Sequence, residues 1–187
     1  MNHHERKDMN RQVYGGATVN GEMPPAIDPG IFRTVLGNYP TGVCVVTGCN
    51  ENGEAIGLVV GSFTSVSLDP PLVAFLPDRR SASWPRIRAC GQFCVNVLAE
   101  DQKDLCDNFA SKRPDKFTGV AHRLSDIGMP IIDDVVAWIE CEIENEIDAG
   151  DHTIVLGRVK NLHVERDVGP LLFHRGAYGA FSKRSMD

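Results

Sequence analysis

The sequence predicts a mainly β domain, built as a closed or partly closed antiparallel barrel with a few peripheral helices. Short β-prone runs recur along most of the chain, and no regular alternation of strand and helix indicates a parallel sheet. The 187 residues are 42% hydrophobic, which is enough to bury one sizeable core but not two. We therefore expect a single domain over residues 27 to 187.

The first residues predict a short arm followed by a helix. Residues 1 to 26 mix glycine and proline with polar residues, which is typical of a flexible arm. Asp28 suits an N-cap, and Pro29 suits the first helical position. Apolar residues follow at helical spacing, and Pro40 ends the helix.

Strands dominate the rest of the chain. Asn52 and Gly53 separate β-prone runs at residues 43 to 47 and 55 to 60, and this dipeptide is a strong hairpin signal. The elements predicted after the hairpin are strands at residues 63 to 68, 71 to 76, 92 to 98, 135 to 147, 153 to 165 and 171 to 175, and helices at residues 83 to 89 and 101 to 110.

Charge and hydropathy exclude several classes of partner. The formal net charge of −6 is unfavourable for a nucleic-acid or anionic-membrane surface, because both need clustered Lys and Arg. No apolar run reaches the length of a membrane helix, and residues 1 to 11 lack the apolar core of a signal peptide. We expect a cytoplasmic protein whose partners are small molecules and other proteins.

The cysteines and histidines do not predict a metal site or a thiol nucleophile. Most of the six cysteines lie within apolar runs, and no Cys-x-x-Cys pair occurs, so we expect free thiols in a reducing compartment. Cys94 and Cys141 lie in strand-like runs, where a thiol stays protonated. His122 and His163 have no ligand spacing with each other or with the cysteines, so no metal is expected.

The most informative segment joins two strands through a loop of small and hydroxyl residues. Gly61, Ser62 and Ser65 have little bulk to keep a planar ligand away from the backbone, and their amides and hydroxyls are hydrogen-bond donors. This chemistry suits the carbonyl or phosphate groups of a flavin. The alternative is a β-hairpin in which the serines and threonines only form the turn.

The usual nucleotide-binding fingerprints are missing, but ordered motifs run through most of the chain. No Gly-x-Gly-x-x-Gly follows a strand and opens a helix, and there is no Gly-x-x-x-x-Gly-Lys-Ser/Thr loop. From Phe32 to about Phe181 the sequence resembles the short-chain flavin reductases of the Greek-key, flavin-binding split-barrel fold. It is most similar to the reductase components of two-component flavin-dependent monooxygenases. The motifs that carry the resemblance are Phe32-Arg33, Pro40-Thr-Gly-Val43, Ser62 to Leu72, Phe93 to Leu98 with Asp101-Gln102, Phe109-Ala110, Ala149 to Thr153, and Pro170 to Gly176 with Tyr178.

The resemblance implies an enzyme that uses NADH, or NADPH, to reduce FAD or FMN. It also implies a homodimer and a reduced flavin that diffuses to a partner oxygenase. Two alternatives remain open on the same barrel. One is a flavin-binding electron carrier without pyridine-nucleotide activity, and the other is an oxidase similar to pyridoxamine-phosphate oxidase.

Family resemblance and chemistry together assign the flavin-binding residues. Thr41 belongs to one of the matching motifs, and the backbone of Val59, Val60, Gly61 and Ser62 is expected along the isoalloxazine edge, where N–H groups can stabilise the reduced ring. That role requires exposed backbone at a strand end.

Ser81 and Ser83, beside Arg79 and Arg80, form a donor and cation cluster suited to the flavin phosphate. The alternative for this cluster is an N-capping serine next to solvated arginines.

His152 is the expected catalytic residue. The resemblance places it near flavin and nicotinamide, where an imidazole could bind a carboxamide or assist proton delivery. It could otherwise be a hydrogen-bonded turn histidine, since Gly150 and Asp151 suit a β-turn. Tyr178 could stack on a ring at the site, or close the core as an aromatic side chain.

Three further residues complete the expected flavin site, each with a structural alternative. Asn96 interrupts an apolar run, so it faces the ligand or satisfies buried backbone. Phe109 and Ser111 match a family segment near the flavin tail, although Phe109 could simply pack against Leu105. Nearby cations could add contacts to the ligand, or be solvated loop charges; these are Lys112, Arg113 and Lys116.

Overall fold

The computed structural model describes residues 26 to 183, so the predicted arm lies outside the described residues apart from Ala26. The helices are α1 (Pro29–Leu36), α2 (Trp84–Arg88) and α3 (Lys103–Ala110). The strands are β1 (Thr41–Gly42), β2 (Cys44–Cys49), β3 (Ala55–Val60), β4 (Thr64–Leu68), β5 (Pro71–Phe75), β6 (Gln92–Val97), β7 (His122–Leu124), β8 (Pro130–Ile132), β9 (Ala137–Ala149), β10 (His152–Val164), β11 (Leu171–His174) and β12 (Ala177–Ala180). None of these helices is long and apolar enough to cross a membrane.

The chain separates into two compact units, one ending at Leu36 and one beginning at Gly37. In the first, α1 starts where the sequence predicts. The Asp28 carboxylate accepts a hydrogen bond from the Ile31 amide at 2.8 Å, which is the geometry of an N-cap.

The second unit is built on a seven-stranded antiparallel sheet in the order β3-β2-β6-β9-β10-β5-β4. The predicted hairpin between β2 and β3 is present, and Gly53 there has a positive φ that glycine adopts without strain. β3 and β4 are the two outer strands, and no ladder joins them among the described residues. The mainly β architecture is confirmed, with an open order of strands.

Four short strands, β1, β7, β8 and β12, were not predicted from the sequence, whereas β11 was. β1, β11 and β12 form a three-stranded sheet, and β7 pairs with β8 in a two-stranded sheet. β1, β7 and β8 have only two or three residues, which is too short for an apolar alternation to stand out.

Two apolar cores form on the two faces of the main sheet, because successive strand residues point to opposite faces. Val45 of β2 and Val43, which directly precedes β2, join a cluster that includes Phe109 of α3. Cys44 and Val46 join the other cluster, which includes Ile87 of α2. The two helices therefore cover opposite faces of the sheet.

All six cysteines are free, as expected. Four are buried in the cores, namely Cys44, Cys94, Cys106 and Cys141. Burial raises the pKa of Cys44 and of Cys141 to about 12, so these thiols are protonated at neutral pH.

Candidate functional site

The main groove runs along the outer edge of the seven-stranded sheet. Its floor is the hairpin end and β3, from Glu54 to Leu58. One wall is the segment that leads into α2, and the other is the loop after α3. Because α2 and α3 cover opposite faces of the sheet, the two walls lie on opposite sides of the groove floor. The groove has a volume of about 1680 Å³. Since β3 pairs with β2 alone among the described strands, its second backbone edge faces the groove.

Five cationic side chains line this groove: Arg80, Arg86, Lys112, Arg113 and Lys116. Two of them are already engaged. The Arg80 guanidinium binds both carboxylate oxygens of Asp78, and the Lys116 ammonium donates to the Phe109 carbonyl at 2.7 Å. Burial lowers the pKa of Lys116.

The other three cations of the groove are available for a ligand. Arg86, Lys112 and Arg113 form no ion pair within the part of the chain that the structure describes. Arg86 lies on one wall, and Lys112 and Arg113 lie on the other. The groove therefore presents unpaired positive charge from two sides, which suits an anionic ligand such as a phosphate.

Three of the predicted serines line the groove, with different local roles. The Ser81 hydroxyl accepts a hydrogen bond from the Trp84 amide at 3.1 Å, so Ser81 supplies the side-chain cap of α2. Ser83 occupies the N-cap position but makes no capping bond with its side chain, contrary to the predicted Ser83 cap. The Ser111 hydroxyl donates to the Asn108 carbonyl at 2.7 Å. The Ser83 hydroxyl therefore makes fewer local hydrogen bonds than the hydroxyls of Ser81 and Ser111.

The predicted isoalloxazine segment continues from the end of β3. The side chain of Val60 is buried and that of Val59 packs against a core, so only their backbone can reach a ligand. Gly61 is exposed, and a Cβ placed on it would lie 3.0 Å from the Thr41 hydroxyl. The Ser62 hydroxyl accepts a hydrogen bond from the Leu76 amide at 2.9 Å. Thr41 and Gly61, which are both predicted flavin-binding residues, therefore lie next to each other.

Ser65 is placed apart from this segment. It is an exposed residue of β4, opposite Val73, and it does not line the groove.

His152 begins β10 directly after a turn with Gly150 at positive φ. Its Nδ1 atom lies 2.8 Å from the Asp151 carboxylate, and its backbone forms a bridge with Asp78. Asp78 lines the groove, so the backbone of His152 is paired directly with that of a groove residue.

The carboxylates around His152 are held in their charged form. The hydrogen bonds and charge of Arg80 hold the pKa of Asp78 well below its usual range. The hydrogen bond from His152 lowers the pKa of Asp151. A charged acceptor at Nδ1 orients the imidazole and leaves its Nε2 atom as the free ring position.

Tyr178 lies at a second, smaller pocket of about 350 Å³ that is also lined by Pro40 and His174. Its hydroxyl accepts a hydrogen bond from the Cys106 thiol at 3.2 Å, and this bond together with burial raises its pKa to about 12. Its ring also packs against a core. This packing matches the structural alternative for Tyr178, an aromatic side chain that closes the core, while its role of stacking on a ring stays a prediction.

Asn96 and Phe109 lie in the core rather than on the groove. Asn96 is fully buried, and its amide donates to the Val45 carbonyl and the Thr47 hydroxyl while accepting from the Ile132 amide. This matches the structural alternative, in which the amide satisfies buried polar groups. Phe109 is also buried and packs edge-on against Phe117 at 5.0 Å. Neither side chain lines the groove.

Sequence reasoning missed two contributors to the groove. Arg86 was not selected, although it follows Ser83 by three residues and so lies one helical turn away. The edge of β3 was also missed, because the order of strands in a sheet depends on distant pairings. Among the described residues, no group of three or more histidine, cysteine or acidic side chains could hold a metal ion.

The fold is a mainly β domain, and its groove at the sheet edge is lined by cations. These two features define a class of protein, the β domains whose groove suits an anionic small molecule. The comparison with protein families is more specific. The family described as "Flavin reductase like domain" matches residues 36–182. The chain belongs to this family, which confirms the resemblance seen in the motifs.

Relatives of known description match most of the chain. A flavin reductase from Pseudomonas putida is 59% identical over 157 residues, covering 84% of this chain and 92% of the relative. The reductase subunit of a flavin-dependent monooxygenase from Rhodococcus jostii is 46% identical and covers 89% of this chain and 84% of its own length. Among solved structures, an NADH:FAD oxidoreductase from Streptomyces globisporus, in complex with NAD and FAD fragments, has a TM-score of 0.79 at 35% identity, covering 87% of this chain and all of that one.

Proposed function

We propose that this protein is an NADH:flavin oxidoreductase that reduces FAD, or FMN, and supplies the reduced flavin to a separate monooxygenase. Family membership and the 59% identical flavin reductase favour this activity over an electron carrier or a pyridoxamine-phosphate-oxidase-like enzyme. The observation that carries the proposal is the groove, with its open strand edge and the unpaired cations Arg86, Lys112 and Arg113.

The segment from Val59 to Ser62, which follows the groove floor along the chain without lining the groove itself, fits a flavin chemically. An isoalloxazine ring needs backbone donors close to its carbonyl edge, and only a residue without a Cβ lets such a ring approach closely. Gly61 meets this requirement, since a side chain there would fill the space in front of Thr41. When bound, the flavin accepts a hydride at N5 from the nicotinamide C4 atom. The backbone from Val59 to Ser62 would orient the ring and exclude water from one edge.

The phosphate end of the flavin would lie between the two walls of the groove. The Ser83 hydroxyl and Arg86 face it from one wall, and Ser111, Lys112 and Arg113 face it from the other. Charge-assisted hydrogen bonds from both sides would hold the phosphate more strongly than neutral donors. Ser81 and Arg80 would support this end through the α2 cap and the Asp78 ion pair.

His152 would serve the nicotinamide side of the reaction. Its Nδ1 atom is held by Asp151, so Nε2 is free to bind a polar group or to carry a proton. Tyr178, at its own pocket, would provide an aromatic surface near Thr41, because β1 and β12 both pair with β11.

Several wider features belong to the same proposal. We infer a split barrel, supported by the Ser62 bond to Leu76, which links the end of β3 to the residue after β5.

We also infer a homodimer, supported by exposed apolar side chains on β4 and β10, among which Leu68 is 97% exposed. Residues 1 to 26 would form an arm and residues 27 to 187 the domain. The protein would act in the cytoplasm.

The decisive experiment is a turnover assay. Purified protein is mixed with NADH and an excess of FAD in air, and the nicotinamide absorbance is followed. A sustained loss that requires both protein and FAD is expected, and the same assay with FMN and with NADPH ranks the substrates. Bound flavin without any loss of NADH would favour the electron carrier.

The groove itself is tested with an Arg86→Ala, Lys112→Ala double variant. Its turnover should be lower than that of the wild type at limiting FAD and should return to the wild-type rate at high FAD.

A further inference from the structure

Two of the six cysteines are set apart from the others. Cys49 and Cys90 are partly exposed, whereas the other four are buried in the cores. Cys49 is the last residue of β2, and Cys90 follows the C-terminal end of α2. Neither residue belongs to the groove or to any part of the proposed reaction.

Close packing of α2 on β2 brings these two cysteines together. Gly48 has no side chain, and a Cβ built there would lie 2.8 Å from the side chain of Ile87. Ile87 can therefore press against β2, and its carbonyl accepts the amide of Cys90 at 3.2 Å. As a result the Cys90 sulfur lies 2.6 Å from the Cys49 carbonyl oxygen.

This contact limits how far apart the two thiols can be. The carbonyl oxygen of a residue lies roughly 2.4 Å from its own Cα, and a cysteine Sγ lies roughly 2.8 Å from its Cα. The Cα atoms of Cys49 and Cys90 are therefore separated by roughly 8 Å at most, close to the range that a disulfide spans. Burial, and after it the nearby Cys90 thiol, raise the pKa of Cys49, which agrees with the close placement of the two residues.

We propose that Cys49 and Cys90 form an oxidisable thiol pair that closes to a disulfide in the presence of hydrogen peroxide. The first thiol loses two electrons to the peroxide and becomes a sulfenic acid, releasing one water. The second thiol then attacks that sulfur, the S–S bond forms, and a second water leaves. The sum is two thiols and one peroxide giving one disulfide and two waters.

The proposed reductase activity would supply the oxidant, because reduced flavin that meets oxygen yields hydrogen peroxide. A Cys49–Cys90 bond would tie the end of α2 to the β2–β3 hairpin. Both ends of that tie border the groove, since Arg86 lies on α2 and Glu54 lies at the start of β3. The bond would restrict the movement of one groove wall relative to its floor.

The pair is tested on the reduced full-length protein with added hydrogen peroxide, which makes the result independent of reductase activity. Free thiols are counted after denaturation, and peptides are mapped without reduction. The Cys44→Ala variant is used for mapping, because Cys44 and Cys49 fall on the same tryptic peptide. Chymotrypsin cleavage after Phe93 separates Cys90 from Cys94. We expect a loss of two thiols per chain, a linked Cys49–Cys90 peptide, and full reversal by dithiothreitol.

Two variants and one further measurement complete the test. Cys49→Ser and Cys90→Ser should each abolish the two-thiol loss, while Cys44→Ala should keep it. Oxidation should raise the melting temperature of the wild type by roughly 5 °C, since a cross-link restricts the unfolded chain. Retention of all six thiols, over-oxidation of one cysteine without a link, or a disulfide between other residues would overturn the proposal. The Cys44→Ala map decides the matter even if a serine variant fails to fold.

Discussion

Ser81 and Ser83 are separated by one residue, yet the structure gives their hydroxyls different tasks. Ser81 caps α2 through the Trp84 amide, and Ser83 makes no capping bond. We expect Ser83→Ala to raise the flavin Kd about tenfold with an unchanged melting temperature, because it removes a donor to a charged group worth about 1.5 kcal/mol. Ser81→Ala should instead destabilise the fold by about 1 kcal/mol.

Fluorescence quenching measures the flavin Kd, and urea denaturation measures the free energy of unfolding of both variants. Equal effects of the two substitutions on both quantities would show that the serines act as one structural cap.

The imidazole of His152 is held by Asp151 at one nitrogen only. Replacing His152 with alanine should therefore affect the rate of catalysis more than the stability of the fold. We expect His152→Ala to lower kcat/KM for NADH about tenfold, equivalent to about 1.4 kcal/mol, and to leave the flavin Kd unaltered. Steady-state kinetics provide the measurement. Asp148→Ala is a matched control, because Asp148 lies near the end of β9 beside the same turn and its carboxylate forms only a long ion pair with Arg79, at 3.7 Å. A His152→Ala enzyme within twofold of the wild type would remove His152 from the site.

Glu140 is a buried acidic residue whose Oε1 atom has no hydrogen-bond partner within residues 26 to 183. It lies opposite Cys94 in the β6–β9 ladder, facing an apolar core. A buried polar atom without a partner costs about 1 to 3 kcal/mol. We expect Glu140→Met, which keeps the volume, to increase the free energy of unfolding by about 1 to 2 kcal/mol. Urea denaturation tests this, with exposed Glu51→Met as a control, and a lowered midpoint would show that the carboxyl is needed.

Individual residues show where sequence reasoning succeeds and where it stops. The start of α1 was predicted correctly from Asp28 and Pro29, because an N-cap depends only on the few residues around it. The placement of Asn96 could not be read from its own run. Its amide oxygen accepts a hydrogen bond from the Ile132 amide, and no local pattern in the sequence indicates a partner so far along the chain.

At the scale of elements, β3 is an outer strand that also packs against α3. Gly57 allows this close packing, because a Cβ there would lie 2.3 Å from the Phe109 ring. We expect Gly57→Ala to destabilise the protein by about 1 to 3 kcal/mol, since a buried aromatic ring cannot move aside freely. It should also weaken flavin binding, since Gly57 lies on the groove floor.

Thermal denaturation and flavin titration measure these two effects of Gly57→Ala. Gly53→Ala is unsuitable as a comparison because of its positive φ, whereas Gly42→Ala meets no atom within 4 Å and serves as the control. A Gly57→Ala protein as stable as wild type would show that Phe109 is loosely packed.

Element predictions from the sequence were most accurate where the apolar period or a turn signal was long enough to read. The β2–β3 hairpin and the long β9 and β10 strands were predicted from such signals. β7 and β8 were missed because three residues carry no usable period, and they are held by pairing and by coverage of a core. The order of strands, which makes β3 an edge, depends on distant pairings such as that of Arg158 with Leu72.

At the scale of the whole molecule, the groove is open and its contacts to a ligand are few. It offers a strand edge and three unpaired cations, and nothing in the described chain resembles a Rossmann half that would clasp the adenosine end of FAD. Such a site favours modest affinity, which lets reduced flavin leave as fast as it forms. We therefore expect the purified enzyme to lose its flavin readily on gel filtration.

The same openness predicts that reduced flavin reaches the oxygenase by diffusion, without a stable complex between the two proteins. To test this, the reductase and a flavin-dependent oxygenase are separated by a dialysis membrane that passes flavin, with NADH turning over on the reductase side and oxygen kept low. Hydroxylated product should accumulate on the oxygenase side, and it should disappear when the Arg86→Ala, Lys112→Ala variant replaces the wild type at limiting flavin. Reduced flavin detected beside an active oxygenase without product would instead indicate direct transfer between the proteins.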